Sequence, residues 1–217
     1  MALIFCFLPL ILLVLIFTFG FKIKFTHQLI TILLGLLAVF PISIIQYFAP
    51  EFLALQRYPI FYSLLKSIIL YGFVEEIFKM AFEFAIPHKN HTCFEFLLLA
   101  FTFGISLGCF ESVVYFLDHL QIANSRGAQL LYTQIFARIC TSDLIHMACA
   151  GLSGLFVYTV RQKHTRPSFL ILAILLHGIY DYFAVSPTFL RYFSIAVVLL
   201  SLAECRIKYV SLQNDVD

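Results

Sequence analysis

Apolar runs of about twenty residues recur along this chain, separated by short breaks, and few folds accept that pattern. A helix needs about 20 apolar residues to cross a hydrocarbon core of about 30 Å. Within lipid, only helices and closed barrels satisfy every backbone N–H and C=O internally. The runs fall at residues 2–20, 27–48, 60–85, 94–118, 134–160, 168–186 and 189–207. Charge or turn residues mark the breaks: Lys22 and Lys24, Pro50 to Pro59, Pro87 to His91, Asn124 to Gly127, Arg161 to Pro167, and Ser186-Pro187. The expected fold is all-α, a polytopic transmembrane bundle of about seven spans (six to eight, since only Ser186-Pro187 parts the last two). One integral membrane domain is expected over 1–217, with its functional core at 60–186. The first run lacks the basic flank of a signal peptide and reads as a retained helix.

Charge placement sets the expected orientation. With seven spans, Lys22, Lys24, Lys89, Arg161, Lys163, Arg166, Arg206 and Lys208 share one side, and Arg57, Arg126 and Arg191 the other. The basic side is cytoplasmic, so the N-terminus is expected outside and the C-terminus inside. Only 12% of residues are charged, and the net charge is +2. With no basic run, nucleic acid is not an expected partner; the lipid bilayer is. The six cysteines are scattered without metal-finger or disulfide-framework spacing and read as small apolar residues.

Against this background the ionisable residues inside the runs need a reason, because each costs at least about 2.5–3.5 kcal/mol at bilayer depth. The third run holds Glu75, Glu76 and Lys79. Lys79 lies four residues from one glutamate and three from the other, so it reaches either and leaves one carboxylate without its own cation. The fourth run carries Gly104 and Gly108, a face that lets another helix approach closely, and then Glu111 one turn on. The fifth brings Arg138, Ser142, Asp143 and His146; the sixth brings His177 and Asp181 at i,i+4. The expectation is one polar cavity in the outer half of the bilayer, lined by Glu75, Glu76, Glu111, His146, His177 and Asp181, with Lys79 and Arg138 as compensating charge. Structural readings stand beside it: a Glu76–Lys79 ion pair, a His177–Asp181 hydrogen bond within one helix, a satisfied core His146, and Glu111 bonded to a neighbouring helix. Glu51, Asp118 and His119 are expected in solvated loops, and Glu83 and Glu95 at the inner interface.

Carboxylates beside histidines suit attack by an activated water. Ser142 with His146 is a weaker nucleophile–base alternative. No cofactor is required by spacing, since the His-Glu-x-x-His signature is absent. Glu111, His146 and His177 are nonetheless candidate metal ligands, and Zn²⁺ is the ion they suit. A proton-coupled transporter or channel, or a non-catalytic membrane scaffold, uses the same kind of cluster. A carrier opens to both sides, a hydrolase to one, and a scaffold leaves each polar group satisfied.

Glu75-Glu76-x-x-Lys79, then Glu111, then His177-x-x-x-Asp181, on successive apolar runs, resemble the motifs of the PrsW family of membrane proteases. These are relatives of the CAAX-prenyl endopeptidases and bacteriocin-processing membrane proteins. Arg138 and His146 match the family's intervening Arg…His stretch. The resemblance covers residues 71–181 and departs at Leu107, where the family has Phe. It implies an intramembrane endopeptidase in the inner cell membrane, of the glutamate or metallo type, cutting membrane-protein or peptide substrates such as anti-sigma-factor-like single-span proteins. It further implies Glu75 as general base, Glu111 holding the same water, Glu76 with Lys79 orienting, and His177, set by Asp181, stabilising the oxyanion.

Overall fold

A computed structural model of the chain describes residues 2–49, 57–88, 91–126 and 128–214. The described residues form helices and connecting turns, with no strand among them. Helix α1 (Ala2–Cys6) and α2 (Leu8–Leu15), extended by a π-helical turn at Ile16–Gly20, fill the first apolar run. Helix α3 spans Phe25–Phe48. The third run comprises α4 (Pro59–Lys66), a π-helical segment Ser67–Phe73, and α5 (Val74–Glu83). Then come α6 (Cys93–Arg126), α7 (Ala128–Cys140), α8 (Ser142–Arg161), α9 (Pro167–Ala184), a 3₁₀ turn Phe189–Tyr192 and α10 (Phe193–Asn214). Glu51, and the side chains of Asp118 and His119, lie outside the described residues, although the α6 backbone runs through 118 and 119.

Among the described residues, four stretches are long and apolar enough to cross a membrane: Phe25–Phe48, Cys93–Leu117, Tyr132–Arg161 and Pro167–Ala184. A shorter apolar helix covers Leu8–Gly20. On α3, Leu33, Leu37, Phe40 and Ile44 form an exposed apolar stripe at helical spacing, a face suited to lipid.

The bundle is organised around α8, which packs against α5, α6, α7, α9 and α10. Its run Ala148-Cys149-Ala150-Gly151 and the pair Ser153-Gly154 are buried, and such small side chains let neighbouring backbones approach. The glycine face of α6 lands here: a Cβ on Gly104 would overlap the His146 carbonyl, and one on Gly108 would crowd Asp143 and the His146 ring. Glu111, one turn on, is thereby delivered to α8. Gly35 of α3 lies against the Phe103 carbonyl, and the Ser106 hydroxyl donates to the Ile32 carbonyl at 2.9 Å, so α3 is fixed on the other side of α6.

Two of the apolar runs that carry site residues, each read as a single helix, are interrupted. In the third, the wider π-helical segment carries Gly72, which packs on the Ile174 carbonyl and Gly178 of α9. The fifth breaks at Thr141, whose φ −131° and ψ −66° leave the helical region without any proline. The Thr141 hydroxyl donates to the Ala137 carbonyl at 2.8 Å and accepts from the Tyr180 hydroxyl at 3.1 Å. The C-terminal end of α5 is closed by Arg161, whose guanidinium donates to the Phe84 and Ile86 carbonyls left open by the helix end.

Candidate active site

The side chains singled out on four separate apolar runs converge. On α5, Glu75, Glu76 and Lys79 are all buried and face α8 and α9. Lys79 Nζ donates to Glu76 Oε1 at 2.7 Å and lies 3.9 Å from Glu75 Oε2. It also lies 3.0 Å from His146 Nδ1 and 3.5 Å from His177 Nδ1. The two imidazoles meet edge to face, centroids 5.0 Å apart at 83°.

Each ring has one nitrogen committed to a carboxylate. His177 Nδ1 donates to Glu76 Oε1 at 2.7 Å. Its Nε2 then carries the lone pair and faces Glu75 Oε2 and Asp181 Oδ2, each at 3.6 Å. His146 Nε2 donates to Glu111 Oε2 at 2.7 Å, which leaves Nδ1 as the acceptor, 3.9 Å from Glu75 Oε2. Arg138 spans the break between α7 and α8. It donates to Glu111 at 2.9 Å, to Ser142 Oγ at 3.0 Å and to Ser112 Oγ at 3.2 Å, and stacks on the Tyr115 ring.

Exposure is graded across the cluster and defines a mouth and a floor. The side chains of Glu111, Asp181 and Arg138 keep 31%, 22% and 19% exposure, Glu75 keeps 7%, and Glu76 and Lys79 keep none. The Ser142–His146 pair is not formed. Ser142 Oγ accepts from Arg138, and both ring nitrogens of His146 are already turned to Glu111 and Lys79. Glu83, expected at an interface, is fully buried with no hydrogen-bond partner on either oxygen.

Two participants escaped the sequence. Gln46 of α3 donates to Glu75 Oε1 at 2.9 Å, which turns Oε2 towards the histidines. Ser112 bridges Arg138 to Asp143, donating to Oδ1 at 3.0 Å. A lone Gln in the otherwise apolar Ile44-Ile45-Gln46-Tyr47 was the available signal for the first.

One atom from each of Glu75, His146 and His177 falls within 4.8 Å of the others, all buried, a group able to hold a metal ion. Counted as ionised, the carboxylates of Glu75, Glu76, Glu111 and Asp181 outnumber the cations of Lys79 and Arg138 by two. A two-histidine, one-carboxylate donor set is a catalytic-metal set. Carboxylates on the far ring nitrogens are the usual outer support of metal-bound histidines.

The family model of the PrsW family intramembrane metalloproteases matches residues 24–203. The chain belongs to the PrsW family. Every PrsW-type motif residue quoted from the sequence lies inside the matched span, and so do the four long apolar stretches. Membership makes it a multi-pass intramembrane protease acting on membrane proteins. No curated protein and no solved structure matches the chain.

Proposed function

We propose that this PrsW-family protease is a metal-dependent endopeptidase, that Glu75, His146 and His177 hold the ion, and that it cuts single-span membrane proteins near the outer leaflet. The observation that carries this is the pairing of each histidine with a carboxylate on one nitrogen while the other nitrogen faces Glu75. A divalent ion such as Zn²⁺ supplies Lewis acidity for the scissile carbonyl and for the attacking water.

The chain's own residues do the rest. Glu76 Oε1 holds the proton on His177 Nδ1 and so keeps the Nε2 lone pair aimed into the site. Glu111 Oε2 does the same for His146 through Nε2, and Arg138 fixes that carboxylate. Gln46 holds Glu75 Oε1 and frees Oε2. Asp181, partly exposed beside His177 Nε2, takes the proton of the attacking water and returns it to the leaving amine. The sealed floor at Glu76 and Lys79 excludes bulk water from the inner side.

A glutamate-type reading has one observation in its favour. The Lys79 ammonium lies 3.0 Å from the His146 Nδ1 lone pair that a metal would use. There Glu75 is the general base and Lys79 with His177 stabilises the oxyanion. A transporter reading is not favoured, because exposure falls from the mouth to nothing at the floor. Seven crossings of a single integral membrane domain, N-terminus outside, place the mouth on the outer side, and the Lys/Arg distribution supports this.

Comparison of membrane-protein N-termini from cells carrying the wild type and a Glu75→Gln, Glu76→Gln variant tests the reading. New N-termini near outer ends of spans, present only with the wild type, are expected. Identical N-termini would overturn it.

A further inference from the structure

A second histidine pair lies at the other end of the bundle. His27, in the first turn of α3, and His91, just before α6, bring Nδ1 and Nε2 to 2.7 Å across 64 residues of sequence. Their rings meet edge to face with centroids 4.9 Å apart at 84°. These are nearly the values of the His146–His177 pair, 5.0 Å and 83°. A carboxylate again backs one ring: Glu95 Oε2 accepts from His91 Nδ1 at 3.4 Å. That carboxylate is itself held, accepting from the Thr92 amide at 2.8 Å while Thr92 Oγ1 accepts from the Glu95 amide at 3.2 Å. The exchange is a capping box that starts α6 and fixes Glu95.

We infer that His27 and His91 form a second metal site, one for an exchangeable divalent transition ion such as Zn²⁺ or Cu²⁺. Glu95 keeps the proton on His91 Nδ1, so His91 Nε2 offers its lone pair. Without metal, His27 Nδ1 donates to that lone pair. A shift of the His27 proton to its own Nε2 turns Nδ1 into a second donor with no net change of charge. Two nitrogens around one tetrahedral ion stand roughly 3.3 Å apart at Zn–N bonds of about 2.0–2.1 Å, so the pair has to part by about 0.6 Å and the rings turn until both lone pairs meet at the ion. Imidazole suits Zn²⁺, Cu²⁺ and Ni²⁺ and is a poor donor to Mg²⁺ or Ca²⁺.

The site is distinct from the catalytic cluster. Glu95 stands in the first turn of α6 and Glu111 near its middle, about 24 Å apart along the helix axis at 1.5 Å per residue. Both histidines are only partly buried, and with two protein donors the remaining positions fall to water. The ion therefore exchanges. When bound it ties the start of α3 to the start of α6. The inference stands whether or not the catalytic pair holds a metal.

Zn²⁺ binding to the full-length protein in detergent, stripped with chelator and then dialysed to equilibrium against Zn²⁺ alone, tests it. Two equivalents per chain are expected in the wild type, and one in His91→Ala. A His146→Ala, His177→Ala variant keeps one, and its Cu²⁺ form shows two imidazole nitrogens by electron paramagnetic resonance, lost when His27→Ala is added. A single wild-type equivalent that survives His91→Ala would overturn the inference and make the pair a hydrogen bond only. A single equivalent lost in His91→Ala and kept in the His146→Ala, His177→Ala variant would uphold it and remove the metal from the catalytic reading instead.

Discussion

Glu75 reaches the histidines with Oε2 because Gln46 takes its other oxygen, so Gln46→Leu is the sharpest single-residue test of how the cluster is held. Outer-shell partners of metal ligands are typically worth about 10–100-fold in affinity or activity. Gln46→Leu is predicted to lose about that much in both Zn²⁺ affinity and kcat/KM, while the folded protein keeps its elution volume and thermal midpoint. Glu83 makes the opposite case. A buried carboxyl with no hydrogen-bond partner costs about 1–3 kcal/mol, so Glu83→Met is predicted to raise the thermal midpoint and leave cleavage unchanged. The sequence exposed the charged members of the site because charge inside an apolar run is expensive. It hid Gln46 and Ser112 because a neutral polar side chain there is cheap. It also showed Glu83 as one more acid near a helix end, although the packing of α5 on α8 buries it completely.

The elements explain why residues from four runs meet. The Gly104 and Gly108 face was legible, and it is what seats α6 on α8 and delivers Glu111 to His146. Gly104→Val is predicted to push the helices apart, costing about 1–3 kcal/mol as overpacking, and to separate Glu111 from His146. Loss of Zn²⁺ binding at the catalytic pair, read by dialysis, checks the second effect. The π-helical segment and the Thr141 break were not legible. Hydrophobic periodicity cannot register one extra residue in a turn, and Thr141 leaves the helix without proline or glycine to mark it. Both irregularities lie beside the site. The first packs Gly72 onto α9, and the second lets Arg138 on α7 and Ser142 on α8 share one hydrogen bond.

At the scale of the molecule, exposure falls across the cluster, from the partly exposed Glu111, Asp181 and Arg138 to the fully buried Glu76 and Lys79. Cysteine labelling reports on its direction. With Cys140 replaced by Ser, a Pro187→Cys variant, in the exposed turn after α9, is predicted to react with a membrane-impermeant maleimide added outside intact cells. The native Cys149 and Cys205, both buried, are predicted to stay unlabelled from either side. Labelling of that variant only after the inner face is opened would reverse the orientation.

A metal held by Glu75, His146 and His177 is proposed to supply the proteolytic chemistry of this chain. The most direct measurement is cleavage of a substrate identified from the N-terminus comparison, in proteoliposomes of purified protein stripped with chelator. No cleavage is expected after stripping, with recovery on addition of Zn²⁺ and no recovery in His177→Ala. Full cleavage by protein shown to contain no metal would contradict it and assign the chemistry to Glu75 and Lys79 alone.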